Sequence, residues 1–273
     1  MSSEERRVFL LTGATGAIGR GIARGLAAVP DAELLLGVRD RAKGERLLRE
    51  LGDSSRARLS LVELDVSRYA AVRTFAHGFS GPLHLLVNNA AIAPRERSET
   101  PEGIELQLAT NVLGYLWLTE LLGPALERGA RSGGEARVVN VASYWAGDLD
   151  VDDLEFCRRR YDNDAAYRQS KQANRMLTRR HAELFAGKSV RVNACHPGDV
   201  RSTLSESLGF GGHESAEEGA RTPLWLALDP ALAGRSGGWY ERRAESHCRF
   251  ANDADAVRKL YAALCRYTPE GGR

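Results

Sequence analysis

The sequence predicts a single α/β domain, in which helices cover both faces of a doubly wound parallel sheet. Short, continuously apolar runs alternate with longer amphipathic stretches along the 273 residues. Continuously apolar strands are typical of parallel sheets that are buried on both faces, and their alternation with helices favours right-handed crossovers. Neither an internal repeat nor a linker rich in Pro or Ser divides the chain, so we expect one domain over residues 1–273.

Each strand is predicted from a continuous apolar run, and each helix from apolar residues spaced three or four apart. The predicted strands are 8–12, 33–39, 58–64, 83–88, 136–142 and 189–195. The predicted helices are 17–29, 41–51, 67–79, 102–128, 165–186, 215–228 and 253–267. Two insertions, at about 146–164 and 199–220, follow the carboxyl ends of strands. Open α/β sheets bind ligands at those ends, so we expect both insertions to wall a substrate site.

The composition is that of an ordinary globular protein. Hydrophobic residues make up 43% and charged residues 27%, and 38 basic against 36 acidic residues leave a net charge of +2. This balance argues against nucleic acid or an anionic membrane as a partner. No secretion signal, 18-residue apolar run or C-x-x-C pair occurs, so we expect a cytoplasmic protein with reduced thiols and no membrane anchor.

A glycine-rich turn, T-G-A-T-G-A-I-G at 12–19, follows the first predicted strand and opens the first predicted helix. The first glycine allows a tight turn, the last lets the helix pack closely on the sheet, and the backbone N–H groups can hold a pyrophosphate. The turn therefore predicts a Rossmann-type dinucleotide site. Its expected contacts are Gly13, Thr15, Gly16, Ala17, Ile18 and Gly19.

The end of the second strand distinguishes the two nicotinamide dinucleotides. An acidic residue there accepts hydrogen bonds from a ribose 2′-hydroxyl, whereas an arginine pairs with a 2′-phosphate. This chain has Arg39 at the turn, and Arg20 after the glycines is a second candidate for the same phosphate. Asp40 lies past the usual acidic position and is expected to cap the helix that begins near Arg41. The pattern favours NADP(H) over NAD(H).

Two further strand ends are expected to contact the dinucleotide. Asp65, with Val66 beside it, can accept a hydrogen bond from the adenine amino group, and it can also cap the helix that follows. The segment N-N-A-A at 88–91 ends the fourth strand with amides and small residues. It lets Asn89, Ala90 and Ala91 approach the adenosine ribose, while the asparagines tie the strand ends together.

A second constellation suits proton transfer. Tyr167 and Lys171 are four residues apart in Y-R-Q-S-K, which places a phenol and an ammonium on one helical face. An ammonium that favours the phenolate brings the phenol's pKa from about 10 toward neutrality. Ser143, at the end of the fifth predicted strand, can donate a hydrogen bond to a carbonyl oxygen that gains negative charge.

In this order the motifs identify a family, because the chain resembles the short-chain dehydrogenases/reductases over nearly its full length. The segments that match are 12–19, 88–91, A-T-N-V-L-G at 109–114, V-N-V-A-S at 139–143, 167–171 and H-P-G-D-V-R-S-T at 196–203. The resemblance implies a catalytic tetrad of Asn111, Ser143, Tyr167 and Lys171. Tyr167 would exchange a proton with substrate, Lys171 would bind the nicotinamide ribose and lower the tyrosine pKa, and Asn111 would hold a relay water. It also implies nicotinamide contacts from Pro197, Gly198 and Val200, with Ser202 beside them.

Within that family the chain is most similar to the retinol-dehydrogenase-like branch. The matching features are G-V-R-D-R-A-K-G-E at 37–45, the insertion at 152–162, the segment 166–174 and the 24 positions between Ser143 and Tyr167. The resemblance implies an NADP(H)-dependent oxidoreductase that acts on a small carbonyl or alcohol substrate, and we expect a carbonyl reductase. It also implies self-association through the helices 102–128 and 165–186 as a homo-oligomer.

Other interpretations remain open at this point. Glycines at 13, 16 and 19, with Ala17 in place of a glycine, also match epimerase-type members of the family. An epimerase or dehydratase is therefore an alternative, and so is a non-catalytic NADP(H)-binding regulatory protein. The acidic stretch 147–155 has no ligand spacing for a metal, and we expect none. Trp145, Phe210 and Trp239 are candidates for an apolar substrate pocket.

Overall fold

The order of the strands determines where this fold can bind a ligand. In the computed structural model, which describes residues 6–52 and 54–268, eight strands form one sheet in the order β3-β2-β1-β4-β5-β6-β7-β8. The strands are β1 Arg7–Thr12, β2 Ala32–Val38, β3 Arg58–Glu63, β4 Leu85–Asn88, β5 Ala136–Val141, β6 Val190–His196, β7 Trp239–Glu241 and β8 Ala244–Ser246. All pairs are parallel except β7 with β8. The chain reverses its winding between β1 and β4, which opens a crevice at their carboxyl ends.

The predicted strands and most predicted helices are confirmed to within two residues at each end. The helices are α1 Ala17–Ala27, α2 Arg41–Gly52, α3 Tyr69–Gly78, α4 Leu106–Leu108, α5 Gly114–Leu121, α6 Gly123–Gly133, α7 Asn163–Leu184, α8 Thr203–Ser207, α9 Ala216–Leu228 and α10 Ala254–Cys265. The sequence analysis missed β7, β8 and α8 because elements of three to five residues carry too little periodicity. Residues 1–5, 53 and 269–273 of the predicted domain lie outside the described residues.

The single helix predicted over 102–128 is wrong. This stretch begins with the short α4, continues as a wide π-helical turn over Ala109–Leu113, and only then becomes α5. A second break separates α5 from α6, because Leu122 leaves helical geometry and Pro124 starts the next helix. The apolar residues keep a continuous helical spacing through both breaks, so periodicity alone did not reveal them.

Helices cover both faces of the sheet, as expected. One core contains α1, α2 and α9 side chains such as Ile22, Leu47 and Leu226. The other contains α3, α5, α6, α7 and α10 side chains such as Trp117 and Leu260. Among the helices of the described ranges, none combines the length and apolarity that a membrane crossing needs.

The C-terminal helix α10 packs on α7 with its buried face. Part of the α7 surface that the family resemblance assigns to self-association is therefore occupied by the chain itself. On that side His181 of α7 is buried, and its Nε2 lies 3.4 Å from a carboxylate oxygen of Glu120 on α5. Self-association through α7 stays a prediction.

A glycine sets the depth at which α6 packs on the sheet. A Cβ on Gly129 would lie 2.1 Å from the carbonyl oxygen of Leu83, so Gly129→Ala must displace backbone. We expect this variant to lower the free energy of unfolding by about 1–3 kcal/mol, measured by urea denaturation. Gly78→Ala is the control, because a Cβ there meets nothing within 4 Å. Equal unfolding midpoints for the two variants would contradict this packing.

Candidate active site

A cavity of about 700 Å³ opens at the carboxyl ends of the strands, at the predicted crevice. It runs from the end of β2, past the glycine turn, to the end of β6 and the second insertion. The predicted site residues that line it are Gly13, Thr15, Gly16, Ala17, Ile18, Gly19, Arg39, Asp65, Val66, Asn89, Ala90, Ala91, Ser143, Tyr167, Lys171, Pro197, Gly198, Val200 and Ser202. Arg20 and Asn111, which were also predicted, do not line it.

The glycine turn presents an open helix N-terminus to this cavity. Gly13 has a φ of 64°, a conformation that favours glycine, and the N-cap residue Gly16 is extended and provides no side-chain hydrogen bond. The first N–H groups of a helix have no partner within the helix. The N–H groups of the first turn, at residues 17–19, therefore remain for a ligand, and the helix dipole favours an anion there.

Hydrogen bonds between β1 and β4 hold this turn in place. The Asn89 amide donates to the carbonyl oxygens of Thr12 and Gly13 at 3.0 and 3.1 Å. The Thr12 hydroxyl accepts from the backbone N–H groups of Asn89 and Ala90 at 3.0 and 3.2 Å. The prediction that asparagines tie the strand ends together is thus confirmed by the geometry.

Charged side chains of both signs line the far end of the cavity. Arg39 and Lys43 are exposed there, and the Lys43 ammonium lies 3.8 Å from the Asp40 carboxylate. The Asp40 carboxylate accepts a hydrogen bond from the Lys43 backbone N–H at 3.0 Å, which confirms its expected role at the start of α2. Asp65 also lines the cavity, but its Oδ1 accepts from the N–H and hydroxyl of Ser67, and α3 begins only at Tyr69.

The structure separates the two arginine candidates. Arg20 donates to the Thr15 carbonyl oxygen at 3.3 Å and forms an ion pair with Glu50 of α2. Its guanidinium is therefore engaged away from the cavity, and its assignment as a phosphate contact stays a prediction. Arg20 follows the glycines directly in the sequence, which suggested that contact. In the structure its side chain points toward Glu50 of α2 instead.

Tyr167 and Lys171 lie buried side by side on α7, beneath the cavity. Their exposed fractions are 7% and 2%, and the Lys171 Nζ lies 5.4 Å from the centroid of the Tyr167 ring. The same ammonium donates to the Val141 carbonyl oxygen at the end of β5 at 3.1 Å. The predicted pairing of phenol and amine on one helical face is present in the structure.

Burial controls the titration of this pair. Burial raises the pKa of Tyr167 to about 12, although the hydrogen bond with Ser143 acts in the opposite direction. Burial also lowers the pKa of Lys171 to about 7. Desolvation of both groups therefore outweighs the ammonium-assisted lowering of the tyrosine pKa that the sequence analysis expected. The phenol is protonated near neutrality, and the amine titrates there.

Asn111 does not line the cavity, but it holds a segment that does. It lies in the π-helical turn, where its Oδ1 accepts from the Ile92 N–H and its Nδ2 donates to the Ile92 carbonyl oxygen, both at 2.9 Å. Its Nδ2 also donates to the Ser170 hydroxyl at 3.1 Å. The amide thus fixes the segment after β4 that lines the cavity. Its role in holding a relay water stays a prediction.

The remaining part of the cavity is lined by residues just after β5 and by the second predicted insertion. No residue of the first insertion, 146–164, lines it, so the expectation that this segment walls the substrate site is wrong. Tyr144, Trp145 and Phe210 line it, and the Trp145 and Phe210 rings are stacked, with centroids 6.1 Å apart and planes inclined by 12°. Trp239 was expected here too, but it is buried beneath the Arg175 guanidinium, 3.8 Å from the ring centroid. That expectation is wrong because β7 pairs with β6 and turns the indole into the core.

The first insertion owes its order to buried polar contacts. The Asp153 carboxylate is 5% exposed and accepts hydrogen bonds from the N–H groups of Cys157, Arg158 and Arg159. Glu155 accepts from the Glu105 N–H at 3.0 Å and from the Tyr267 hydroxyl at 2.8 Å. The acidic stretch is therefore a loop held together by its own hydrogen bonds. The described residues contain no group of three or more metal-ligating side chains.

Several lining residues were missed in the sequence. They are Lys43, Leu64, Ile92, Ala93, Pro94, Leu106, Thr110, Tyr144, His196, Asp199, Thr203, Leu204, Ser205 and Ser207. Most are apolar or small residues that only tertiary structure brings to the cavity. Asp199 could have been predicted from the sequence, because it stands between Gly198 and Val200 in a segment already assigned to the site.

Comparisons with known proteins agree with this geometry. A family model described as short chain dehydrogenase matches residues 7–209. The chain belongs to the short-chain dehydrogenase family. It is 35% identical to polyprenol dehydrogenase from Mus musculus, over 97% of this chain and 85% of that protein. It is 36% identical to retinol dehydrogenase 12 from Homo sapiens, over 86% of this chain and 77% of that protein. The resemblance to the retinol-dehydrogenase-like branch is thus confirmed.

Solved structures of the family confirm the fold. An uncharacterized protein from Mycobacterium paratuberculosis superposes with a TM-score of 0.80 at 31% identity, covering 97% of this chain and 94% of that one. A 3-ketoacyl-(acyl-carrier-protein) reductase from Brucella melitensis, complexed with NADH, superposes with a TM-score of 0.68 at 26% identity, covering 88% and 98%. The protein is thus a Rossmann-fold member of an oxidoreductase family.

Replacing Lys171 by methionine tests the burial of its amine in the ligand-free protein. Because the folded pKa is lowered to about 7, the unfolded chain binds a proton that the folded chain releases between about pH 7 and pH 10. The free energy of unfolding should therefore rise with pH in this window, by up to about 1.4 kcal/mol per pH unit. Urea titrations at about pH 7, 8 and 9 should show a smaller rise for Lys171→Met than for the unmodified protein.

Lys188→Met provides the control for that titration, since Lys188 is 48% exposed in an ion pair with Glu127. It should keep the pH dependence of the unmodified chain. Identical slopes for Lys171→Met and the unmodified protein would show that the buried amine does not titrate in this range.

Proposed function

We propose that the protein is an NADP(H)-dependent oxidoreductase that reduces an apolar ketone or aldehyde to the alcohol. The observation that carries the proposal is that one cavity contains both an uncapped helix N-terminus and a buried Tyr167–Lys171 pair with Ser143 beside it. The first feature suits an anionic dinucleotide, and the second suits proton transfer to a carbonyl oxygen.

The residues around the cavity fit a nicotinamide dinucleotide. The open N–H groups of residues 17–19 would hold the pyrophosphate, Asp65 would accept from the adenine, and Lys171 would hold the nicotinamide ribose. The nicotinamide end would contact Pro197, Gly198, Val200 and Ser202, of which Ser202 also caps α8. A dinucleotide bound in this way supplies or accepts the hydride.

Tyr167 would act as the acid in the direction of reduction. Its raised pKa keeps the phenol protonated near neutral pH, so it can give the proton to a carbonyl oxygen that gains negative charge. The Ser143 hydroxyl would donate a hydrogen bond to the same oxygen, and it is oriented by accepting from the Trp145 N–H at 3.0 Å. Lys171 titrates near neutrality, so it can return a proton to the phenolate.

The charges at the far end of the cavity support NADP(H). Arg39 supplies an exposed guanidinium at the end of β2, whereas the nearby carboxylate of Asp40 is engaged by the backbone N–H and the ammonium of Lys43. A 2′-phosphate would pair with Arg39, because a guanidinium can bind it with two parallel hydrogen bonds. A ribose 2′-hydroxyl would find no free carboxylate at the end of this strand.

The aromatic wall supports an apolar substrate. Tyr144, Trp145 and Phe210 are the large hydrophobic residues that the described part of the chain exposes, at 45%, 40% and 40%, and all three line this cavity. Exposed apolar side chains that cluster in one cleft mark a ligand site. Related proteins are named retinol dehydrogenase and polyprenol dehydrogenase, which are names for enzymes of apolar alcohols.

Removing the phenolic hydroxyl tests the proposed acid. Tyr167→Phe should lower kcat for carbonyl reduction about 10²- to 10⁴-fold, because the developing alkoxide loses its proton donor. Turnover is measured as loss of NADPH absorbance together with the alcohol formed. Tyr69→Phe, on α3 and away from the cavity, should keep turnover within about twofold. Retention of most activity by Tyr167→Phe would exclude the phenol as acid.

The same assay distinguishes the alternative chemistries. Reduction consumes one NADPH for each alcohol formed, whereas an epimerase or dehydratase regenerates its dinucleotide. Turnover without net loss of NADPH would therefore support those alternatives over a reductase.

Arg39→Ala tests the choice of dinucleotide. Losing a guanidinium that pairs with a phosphate should weaken NADPH binding about tenfold or more and leave NADH binding nearly unchanged. Isothermal titration of both dinucleotides measures this selectivity. Arg24→Ala is the matched control, because that guanidinium pairs with Glu217 outside the cavity. Equal affinities for both dinucleotides before and after Arg39→Ala would show that Arg39 does not bind the 2′-phosphate.

A further inference from the structure

We propose that Asp199 is a specificity-determining residue, whose carboxylate selects substrates that carry a positive charge or a hydrogen-bond donor near the carbonyl group and rejects anionic ones. The proposal rests on the proposed carbonyl reduction and adds the charge of the substrate to it. It is carried by the position of an unneutralised carboxylate in the reacting half of the cavity.

Asp199 follows the end of β6 and lines the cavity together with Tyr144, Tyr167 and His196. Its side chain is 41% exposed, with Oδ1 3.9 Å from the His196 Nε2. Burial is the main cause of the raised pKa of both Tyr144 and Tyr167. The negative charge of Asp199 raises the pKa of both tyrosines further. The carboxylate therefore belongs to the same half of the cavity as the proposed acid.

No cation neutralises this carboxylate among the residues that the structure describes. Burial lowers the pKa of His196 to about 4, so the imidazole is neutral near pH 7 and does not form an ion pair with Asp199. The cations that line the cavity are Arg39 and Lys43 at the opposite end, and Lys171, whose Nζ is engaged by the Val141 carbonyl oxygen. The Asp199 carboxylate thus lies beside an aromatic wall without an Arg or Lys ion pair among the described residues.

The backbone holds Asp199 firmly in this position. Its carbonyl oxygen accepts hydrogen bonds from the N–H groups of His213 and Glu214 at 2.7 and 3.0 Å. The next residue, Val200, is buried and pairs with Glu214 in an isolated bridge. The backbone of Asp199 is thus held between the end of β6 and the second insertion, which keeps its carboxylate on this side of the cavity.

A carboxylate in the lining of a cavity discriminates by charge. A substrate ammonium or hydroxyl gains a charge-assisted interaction with it, whereas a substrate carboxylate meets a like charge. An aryl or alkyl portion would rest on Trp145 and Phe210. The substrate class is therefore a neutral or cationic apolar carbonyl compound, and keto acids are excluded.

The test uses three acetophenones that differ only in charge: 4-(aminomethyl)acetophenone, 4-methylacetophenone and 4-acetylbenzoate. For each, kcat/KM with NADPH and the dissociation constant by isothermal titration are measured at low salt. We expect the cation to be preferred over the anion by about tenfold or more, in both binding and turnover. Asp199→Asn keeps the side-chain shape and should bring this ratio close to one.

Glu206→Gln is the matched control. It removes a carboxylate from an exposed position on α8 that does not line the cavity, and it should leave the ratio unchanged. Raised salt should reduce the preference of the unmodified enzyme and leave that of Asp199→Asn as it is.

The outcomes separate the two proposals. A cation-to-anion ratio that Asp199→Asn does not change, or that Glu206→Gln changes equally, overturns the role of Asp199. If no acetophenone is reduced but the binding preference is present and disappears in Asp199→Asn, the charge selection stands, and the proposed carbonyl reduction fails for this substrate class. Tighter binding of the anion by the unmodified protein overturns the inference directly.

Discussion

The site depends on the hydrogen bonds that join the ends of β1 and β4. The order of the sheet makes these two strands neighbours at the point where the winding reverses, and Asn89 and Thr12 then satisfy each other's backbone groups across the gap. The contact is so close that a Cβ on Gly13 would lie 2.7 Å from the Ala90 Cα. Small residues on both sides are therefore required for the turn that aims the N-terminus of α1 into the cavity.

A second polar network supports the helix that carries the proposed acid. The Asn88 amide of β4 donates to the Asn140 side-chain oxygen of β5 at 2.9 Å, and the Asn140 amide donates to the Thr178 hydroxyl of α7 at 2.9 Å. Buried amides must be paired to avoid a desolvation cost, so this ladder fixes the rotation of α7 on the sheet. That rotation brings Tyr167 and Lys171 under the cavity and places their titration under the control of burial.

The sequence predicted those parts of the site that depend on local spacing. The glycine turn, the Tyr167–Lys171 pair and the strand ends are short-range patterns, and each was found where expected. Trp239 was misplaced, and Arg20 pairs with Glu50 instead of lining the cavity, because the direction of a side chain depends on partners distant in sequence. The breaks around the π-helical turn and the assembly of the aromatic wall are also tertiary effects, which periodicity does not record.

The two hydrogen bonds accepted by Glu155 connect parts of the protein that are far apart in the chain. They join the first insertion to the residue before α4 and to Tyr267, 112 positions downstream and just past α10. Lys259 of α10 adds an ion pair with Asp152 of the same insertion. The C-terminal helix thereby braces the first insertion, whose Tyr161 hydroxyl donates to the carbonyl oxygen of the lining residue Pro94 at 3.1 Å. Relatives that differ only in this tail can accordingly differ in which substrates they accept, although every residue of the reacting centre is the same.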